Sequence, residues 1–323
     1  VDVIGGEVEI AQTAKTWYVA PQGDDAHPGT FSEPFRTIQK GVDAAAAGDT
    51  VWVRQGVYRE SVRIERSGKE GRPMVLRNYP GEEPVVEVDS LAVGRGQGKG
   101  FLLQAAQGHQ VPVGWTVIEG FEIRGAHDGI KMYNAHSVVL RNNRILEARN
   151  QGILGNGYQI LIEGNTIARN GLSNGDPQSN KQHGIYLTGT RITIQNNVFY
   201  ANQAYGIQVA GYTRAEVSYL AGEEYSGARH WIIRHNTFAF HKVRGAIVLW
   251  KEGTRQCAIQ DNIFYQNAPP DITDYTHKDS GHRVTGNFSG DPLFVAPEHL
   301  DFRLRPGSPA AGKGAFPQPL APE

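Results

Sequence analysis

Between Val117 and Ile272 the chain repeats one short phrase: alternating apolar residues that end in Asn, one further residue, then an apolar residue. It reads Asn143-Arg144-Ile145, Asn165-Thr166-Ile167, Asn197-Val198-Phe199, Asn236-Thr237-Phe238 and Asn262-Ile263-Phe264. A second phrase accompanies it at variable distance: Gly129-Ile130, Gly152-Ile153, Gly184-Ile185, Gly206-Ile207 and, more loosely, Ala246-Ile247 and Asp271-Ile272. Successive Asn lie 22, 32, 39 and 26 positions apart, so insertions fall between the phrases and leave each intact. A repeat of short strands that admits insertions at fixed places specifies a solenoid. The apolar residues alternate with period two, and neither a leucine-rich consensus nor a 3.6-residue period is present. Val138-Val139-Leu140, Ile160-Leu161-Ile162, Ile192-Thr193-Ile194 and Trp231-Ile232-Ile233 therefore read as strands. Each turn stacks on the next at roughly 4.8 Å. The recurring Asn is expected at a corner of the coil, accepting the left-handed bend and passing amide hydrogen bonds to its neighbours above and below.

The ends of the chain differ from its middle. Thr37 is suited to cap a helix whose apolar stripe is Ile38, Val42, Ala45 and Ala46, with Gly48 at its stop. A helix placed before the first coil covers an otherwise open stack. Tyr18-Val19-Ala20-Pro21-Gln22-Gly23-Asp24, Pro28-Gly29-Thr30, Glu33-Pro34-Phe35, Gly48-Asp49-Thr50-Val51 and Gly56-Val57-Tyr58 together resemble the opening of secreted right-handed parallel β-helix proteins of the pectate-lyase-like superfamily. Gly290-Asp291-Pro292-Leu293-Phe294, Asp301-Phe302-Arg303-Leu304 and Pro306-Gly307-Ser308-Pro309-Ala310 are similar to their closing segment.

The expected fold is all-β: a single-stranded right-handed parallel β-helix (solenoid) with an N-terminal capping α-helix. The chain, 1–323, reads as one domain, with a leading segment at 1–16, the helix at 37–47, coils over about 50–290 and a closing segment at 291–323. The superfamily contains polysaccharide lyases, uronan C-5 epimerases and glycoside hydrolases, so the resemblance implies a carbohydrate-active protein without fixing the reaction.

Composition narrows the partners. A net charge of −1 gives no general attraction to nucleic acid, and no apolar run approaches the roughly 20 residues that span a bilayer. The sole cysteine, Cys257, reads as a small buried apolar residue. The chain starts at Val1 without Met, so a processed chain is expected. The expectation is a monomer, secreted or periplasmic, with a polysaccharide as its partner and neither nucleic acid nor membrane.

Two insertions flank the Gly-Ile strands, at 171–182 and 211–230, and loops gathered on one side of a solenoid build the walls of a groove. The basic loop at 94–100 is expected to border it. Counting from each Ile, even offsets (Met132, Leu187, Val209, Leu249) should point inward and odd offsets outward. The outward set is Lys131, Leu154, Tyr186, Gln208, Val248 and Thr273, then Tyr133, Asn156, Thr188, Ala210, Trp250 and Tyr275. Asp128, Gln151, His183 and Tyr205 stand where the chain enters each strand. Aromatic rings beside hydrogen-bonding groups suit a sugar, with its apolar C–H faces and rim of hydroxyls.

Breaking a uronate polymer by β-elimination starts with removal of the proton on C-5, next to the carboxylate. It needs cations to neutralise that group, a base of lowered pKa, and a proton donor. The residue types point to His183 or Lys131 as base, Tyr186 as donor or sugar contact, and Lys181 with Arg214 near the carboxylate. Gln208, Tyr133, Tyr205, Trp250, Asn156 and Asp128 complete the candidate substrate contacts. His183-Gly184-Ile185-Tyr186 is similar to the His-Gly-Ile segments of β-helix uronan epimerases and lyases, although the epimerases' compact Asp-Pro-His signature is missing.

His127, His136, His235 and His241 read as ordinary turn or surface residues. Calcium, which several pectate lyase families bind through dense Asp clusters, is left open; Asp271, Asp274 and Asp279 near His277 are the nearest candidates. Hydrolysis by a carboxylate pair drawn from Asp128, Glu147, Asp176, Glu216, Glu223, Glu224 and Glu252 is a second reading. Glycan binding without catalysis is a third.

Overall fold

The structure, a computed structural model, describes residues 13–89, 98–171, 179–316 and 318. Asp176-Pro177, most of the first insertion and most of the basic loop lie outside the described residues.

Three columns of short parallel strands wind into a right-handed β-helix. The Gly-Ile column contains Val62–Ile64, Lys99–Leu103, the first half of Asp128–Arg141, Ile153–Tyr158, Ile185–Thr190, Ile207–Ala210, Ile247–Trp250 and Ile272–Asp274. Each coil then passes to a second column, which includes Leu161–Glu163, Thr193–Gln195, Ile232–Arg234 and Ala258–Gln260. After the recurring Asn it enters a third, which includes Arg144–Leu146, Thr166–Ala168, Val198–Tyr200, Thr237–Ala239 and Ile263–Tyr265.

Parity follows the sequence. Ile130, Ile153, Ile185, Ile207 and Ile247 pair in register and are fully buried. Leu140, Ile162, Ile194, Ile233 and Ile259 form the matching stack in the second column. In the third, Phe199 lies on Phe238 with ring centroids 4.7 Å apart. Each such side chain contributes roughly 1.5–3 kcal/mol by leaving water.

The helix is shorter than the apolar stripe suggests, spanning Ile38–Ala44. Thr37 caps it, accepting from Lys40 N at 3.2 Å, and the Glu60 carboxylate accepts from Ile38 N and Gln39 N, the orphan donors of the first turn. Gly41 lets the helix lie flat on the first strands, since a Cβ there would stand 2.8 Å from Val19 and Val51. At the other end, Phe294–Ala296 and Asp301–Leu304 form an antiparallel hairpin. Phe294, Phe302 and Leu304 cover Val198, Ala239 and Ile263 on the outside of the third column, so the closing segment runs along the flank of the stack.

The Asn ladder is present, but its members do not take the left-handed bend. That conformation belongs to the residue before each: Asn142 (φ 54°), Gly164 (φ 66°), Asn196 (φ 57°), His235 (φ 50°) and Asp261 (φ 55°). Asn143, Asn165, Asn197, Asn236 and Asn262 are buried, and each side chain carries bonds between coils.

A second ladder runs through Asn170, Asn202, His241 and Asn267, and the sequence reading of His241 as a surface residue is corrected here. His241 Nδ1 accepts from Asn202 N at 3.2 Å, while its Nε2 has no partner among the described residues. Burial pushes its pKa from 6.5 down to about 3. Below pH 6.5 the unfolded chain therefore takes up a proton that the folded one refuses, and stability falls as pH falls toward 3. An Asn at this position keeps the ladder acceptor and lacks the titration. Wild type is expected to lose about 2 kcal/mol relative to His241→Asn between pH 6.5 and pH 5, read from urea midpoints at each pH. Parallel pH curves for the two proteins would refute the assignment.

Candidate active site

The outer face of the Gly-Ile column is a straight ladder in backbone register: Arg63, Leu102, Lys131, Leu154, Tyr186, Gln208, Val248, Thr273. Lys131, Tyr186 and Gln208 thus share one face, as the strand parity requires. Val248 is covered, and three places after the Ile only Tyr133, Trp250 and Tyr275 reach the surface.

The insertion at 211–230 forms one wall. It leaves the coil of Ile207 and runs back across three coils to that of Ile130. Tyr212 Oη lies 3.0 Å from Tyr186 Oη, and Thr190 Oγ1 donates to Glu224 O at 2.7 Å. At the tip, Asn134 Nδ2 donates to Tyr219 O at 2.7 Å, and Ala221 N donates to Asn134 Oδ1 at 3.0 Å. The Tyr219 ring meets Tyr133 edge-on at 5.9 Å, and the His109 ring lies tilted 4.2 Å from that of Tyr133.

Lys131 occupies the floor beneath this tip, its Nζ 5.0 Å from the centre of the Tyr133 ring. Burial holds its pKa below 10.5; Asp128 acts in the opposite sense, and Lys99 adds to the lowering. Three stacked turns stand at the entrance to the strand. His127 N donates to Gly98 O and Asn150 N donates to His127 O, both at 2.8 Å. This stacking gathers Lys99, His127, Asp128 and Arg149. The pKa of His127 is lowered by burial, opposed by Asp128 and reinforced by Lys99, Arg149 and Lys131. Asp128 itself accepts from Asn150 Nδ2 at 2.7 Å. The result is a cluster in which the charges of Lys99 and Arg149, partly offset by Asp128, surround His127 beside a half-sheltered amine.

Four sequence assignments need correction. Asp128, His183 and Tyr205 do not edge the groove: the residue before each Gly lies in a turn that the next coil covers, so all three are buried. His183 is 3% exposed and accepts from Tyr205 N on Nδ1 at 3.2 Å. Its ring packs 5.8 Å from Tyr186 and 5.6 Å from Tyr205. Burial drives its pKa down to about 3 despite a hydrogen bond that it donates to Gln208, so it packs beneath Tyr186 and is closed off from solvent. Asn156, 1% exposed, donates to Asn134 Oδ1 and accepts from Asn134 N at 3.2 Å, forming a third Asn ladder.

Lys181 and Arg214 are exposed, one in each insertion. Gln151 Nε2 donates to Lys181 O and Arg214 N donates to Ser226 Oγ, so both are tied to the fold by their main chain. Sequence reasoning missed Lys99, Arg149, Tyr212, Tyr219 and His109, which meet only through stacking and the path of the wall. The available signal was the basic loop at 94–100, whose end becomes the strand beginning at Lys99.

Among the described carboxylates proposed for hydrolysis, three are engaged by basic side chains. Glu147 pairs with Arg169, Glu216 with Lys251 and Glu252 with His277. Asp271 accepts from Ser289 Oγ and Asp274 from Thr276, and no three His, Cys, Asp or Glu side chains converge as metal ligands among the described residues. Among the described residues this donor set does not fit calcium.

Fold and face together define a class: a pectate-lyase-like right-handed parallel β-helix with a walled groove on one column. Residues 17–177 match the family described as Pel9A-like, right handed beta helix region. Over 212 residues the chain is 27% identical to the uncharacterized protein YwoF of Bacillus subtilis (strain 168), covering 60% of this chain and 43% of that protein. It is 40% identical over 76 residues to pectate lyase PEL9 of Emericella nidulans, covering 23% of this chain and 18% of that one. The matches thus span less than half the length of either relative. Among solved structures, pectate lyase Pel9A superposes over 95% of this chain and 97% of its own, with a TM-score of 0.51 at 15% identity. An alginate lyase from Paenibacillus sp. str. FPU-7 does so over 85% and 95%, with a TM-score of 0.55 at 14% identity. A glycoside hydrolase covers 89% and 98%, with a TM-score of 0.51 at 10% identity. At these identities the superpositions speak for the fold alone. No helix among the described residues is long and apolar enough to cross a membrane.

Proposed function

We propose that the protein is a carbohydrate-active enzyme, a lyase that cleaves a uronate-containing polysaccharide by β-elimination in the groove over Lys131. The observation that carries this reading is a sheltered amine of lowered pKa, Lys131, beside a recess ringed by Lys99, His127 and Arg149.

The substrate carboxylate sits in that recess, where the positive charge of Lys99 and Arg149 stabilises the enolate as it forms and neutral His127 offers a hydrogen bond. Neutral Lys131 removes the C-5 proton, the electron pair moves into the carboxylate, and its return forms the C-4–C-5 double bond as the C-4 oxygen departs. Tyr186 Oη, held by Tyr212 and braced from below by His183, supplies a proton to the leaving oxygen. Tyr133 and Gln208 offer a ring face and an amide to neighbouring sugars. Lys181 and Arg214, on the two walls, attract the rest of the acidic chain. Such a polymer places the enzyme outside the cytoplasm.

The engagement of Glu147, Glu216 and Glu252 by basic side chains favours elimination over hydrolysis. Incubation with a panel of uronate polysaccharides is expected to produce the ultraviolet absorbance of an unsaturated uronate; reducing ends without that absorbance mean hydrolysis. Tyr186→Phe should lower kcat about tenfold to a hundredfold with the fold intact, measured in the same assay. An unchanged kcat removes Tyr186 from the chemistry.

A further inference from the structure

The C-terminal end of the same face carries two exposed aromatic rings. Trp250 is 37% and Tyr275 53% exposed, and they meet edge-on at 5.3 Å. Neither belongs to the core clusters. The Trp250 main chain is fixed by bonds from Gly211 N and Thr254 Oγ1 to its carbonyl, and Tyr275 N donates to Leu249 O at 3.0 Å. The rings are therefore held on rigid strand ends. Lys251, next to Trp250 in the chain, is neutralised by Glu216 and lies 4.4 Å over the Tyr212 ring, and the following residue, Glu252, pairs with His277. This end of the groove thus differs from the cationic recess: it offers ring faces and balanced charge.

We propose that Trp250 and Tyr275 form a distal subsite that stacks on the C–H face of one sugar of the same polymer. Four steps of the ladder separate the Val248 coil from Lys131, through Gln208, Tyr186 and Leu154. At the strand spacing of a sheet that is ~19 Å. One chain fills both places only if several sugars lie between them, so the subsite selects long substrates and commits the enzyme to internal stretches of polymer. This rests on the reading of the groove as a polysaccharide site, but not on elimination as the reaction.

The test uses wild type, Trp250→Ala and Tyr275→Ala in two measurements: electrophoretic retardation in gels holding uronate polysaccharides, and kcat/KM across oligosaccharides of increasing length. For both variants retardation is expected to weaken about tenfold, and the ratio of polymer to short-oligosaccharide kcat/KM to fall by a similar factor, through KM. Losses equal at every length, or retardation unchanged by either substitution, would overturn the subsite. Retardation that depends on Trp250 without any unsaturated product would instead leave the subsite standing and reject elimination.

Discussion

Replacing Lys131 by Gln is expected to lower the rate of elimination by a hundredfold to ten-thousandfold, with KM little changed, because the substitution removes the base and leaves the carboxylate recess in place. Lys131→Arg should be as inactive, since a guanidinium keeps the charge and cannot give up its proton. The pH dependence follows from the direction of the shift. Only the neutral amine accepts the C-5 proton, and burial favours that form, so activity should rise with pH through a limb whose pKa lies below the ordinary lysine value of 10.5. Asp128 works against this lowering, and Asp128→Asn should move the limb to lower pH, as kcat/KM against pH would show. A limb that does not move, or a Lys131→Gln enzyme that retains its rate, would place the base elsewhere.

The largest effect on stability is expected at the middle of the corner ladder. Asn197 Oδ1 accepts from Asn165 N at 2.8 Å and from Asn165 Nδ2 at 2.9 Å. Its Nδ2 donates to Ile162 O, Gln195 O and Asn236 Oδ1 at 2.9, 2.8 and 3.0 Å. Asn197→Ala leaves at least a buried N–H and a buried carbonyl without partners, each costing roughly 1–3 kcal/mol, for a total of about 3–5 kcal/mol in urea or guanidinium unfolding. Asn196, one position earlier, is the contrast. It supplies the left-handed bend that Gly supplies at 164 and 286, so Asn196→Gly should be nearly neutral. Comparable losses at the two positions would show that the ladder acts through the bend and not through its amides.

These two neighbours also show how far the sequence could be read. The Asn period predicts the solenoid, the register and the buried Ile stacks, because a strand alternates strictly and coils stack at one spacing. It does not reveal which of two adjacent positions bends, since Asn serves both as a left-handed residue and as a ladder member. His241 was hidden for a related reason: it occupies an Asn position in a ladder whose other members are spread over separate coils. Lys131, Tyr186 and Gln208 were legible because each follows an inward Ile by one place. His183, Asp128, Tyr205 and Asn156 were not, because a polar residue at a strand end reads as exposed until the next coil is seen to bury it and supply its hydrogen bonds. The recess of Lys99, His127 and Arg149 lies at a strand start and in turns from three coils, and the wall that brings Tyr212 and Tyr219 over the floor is irregular. Neither has a period to follow.

The most direct test is the structure of the Lys131→Gln protein with an oligouronide bound. A sugar should lie along the Gly-Ile column with its C-5 within about 4 Å of the residue 131 side chain, its carboxylate facing Lys99, His127 and Arg149, and its leaving oxygen toward Tyr186. An oligosaccharide seated on another face of the coil, or one whose carboxylate points away from that recess, would contradict the account.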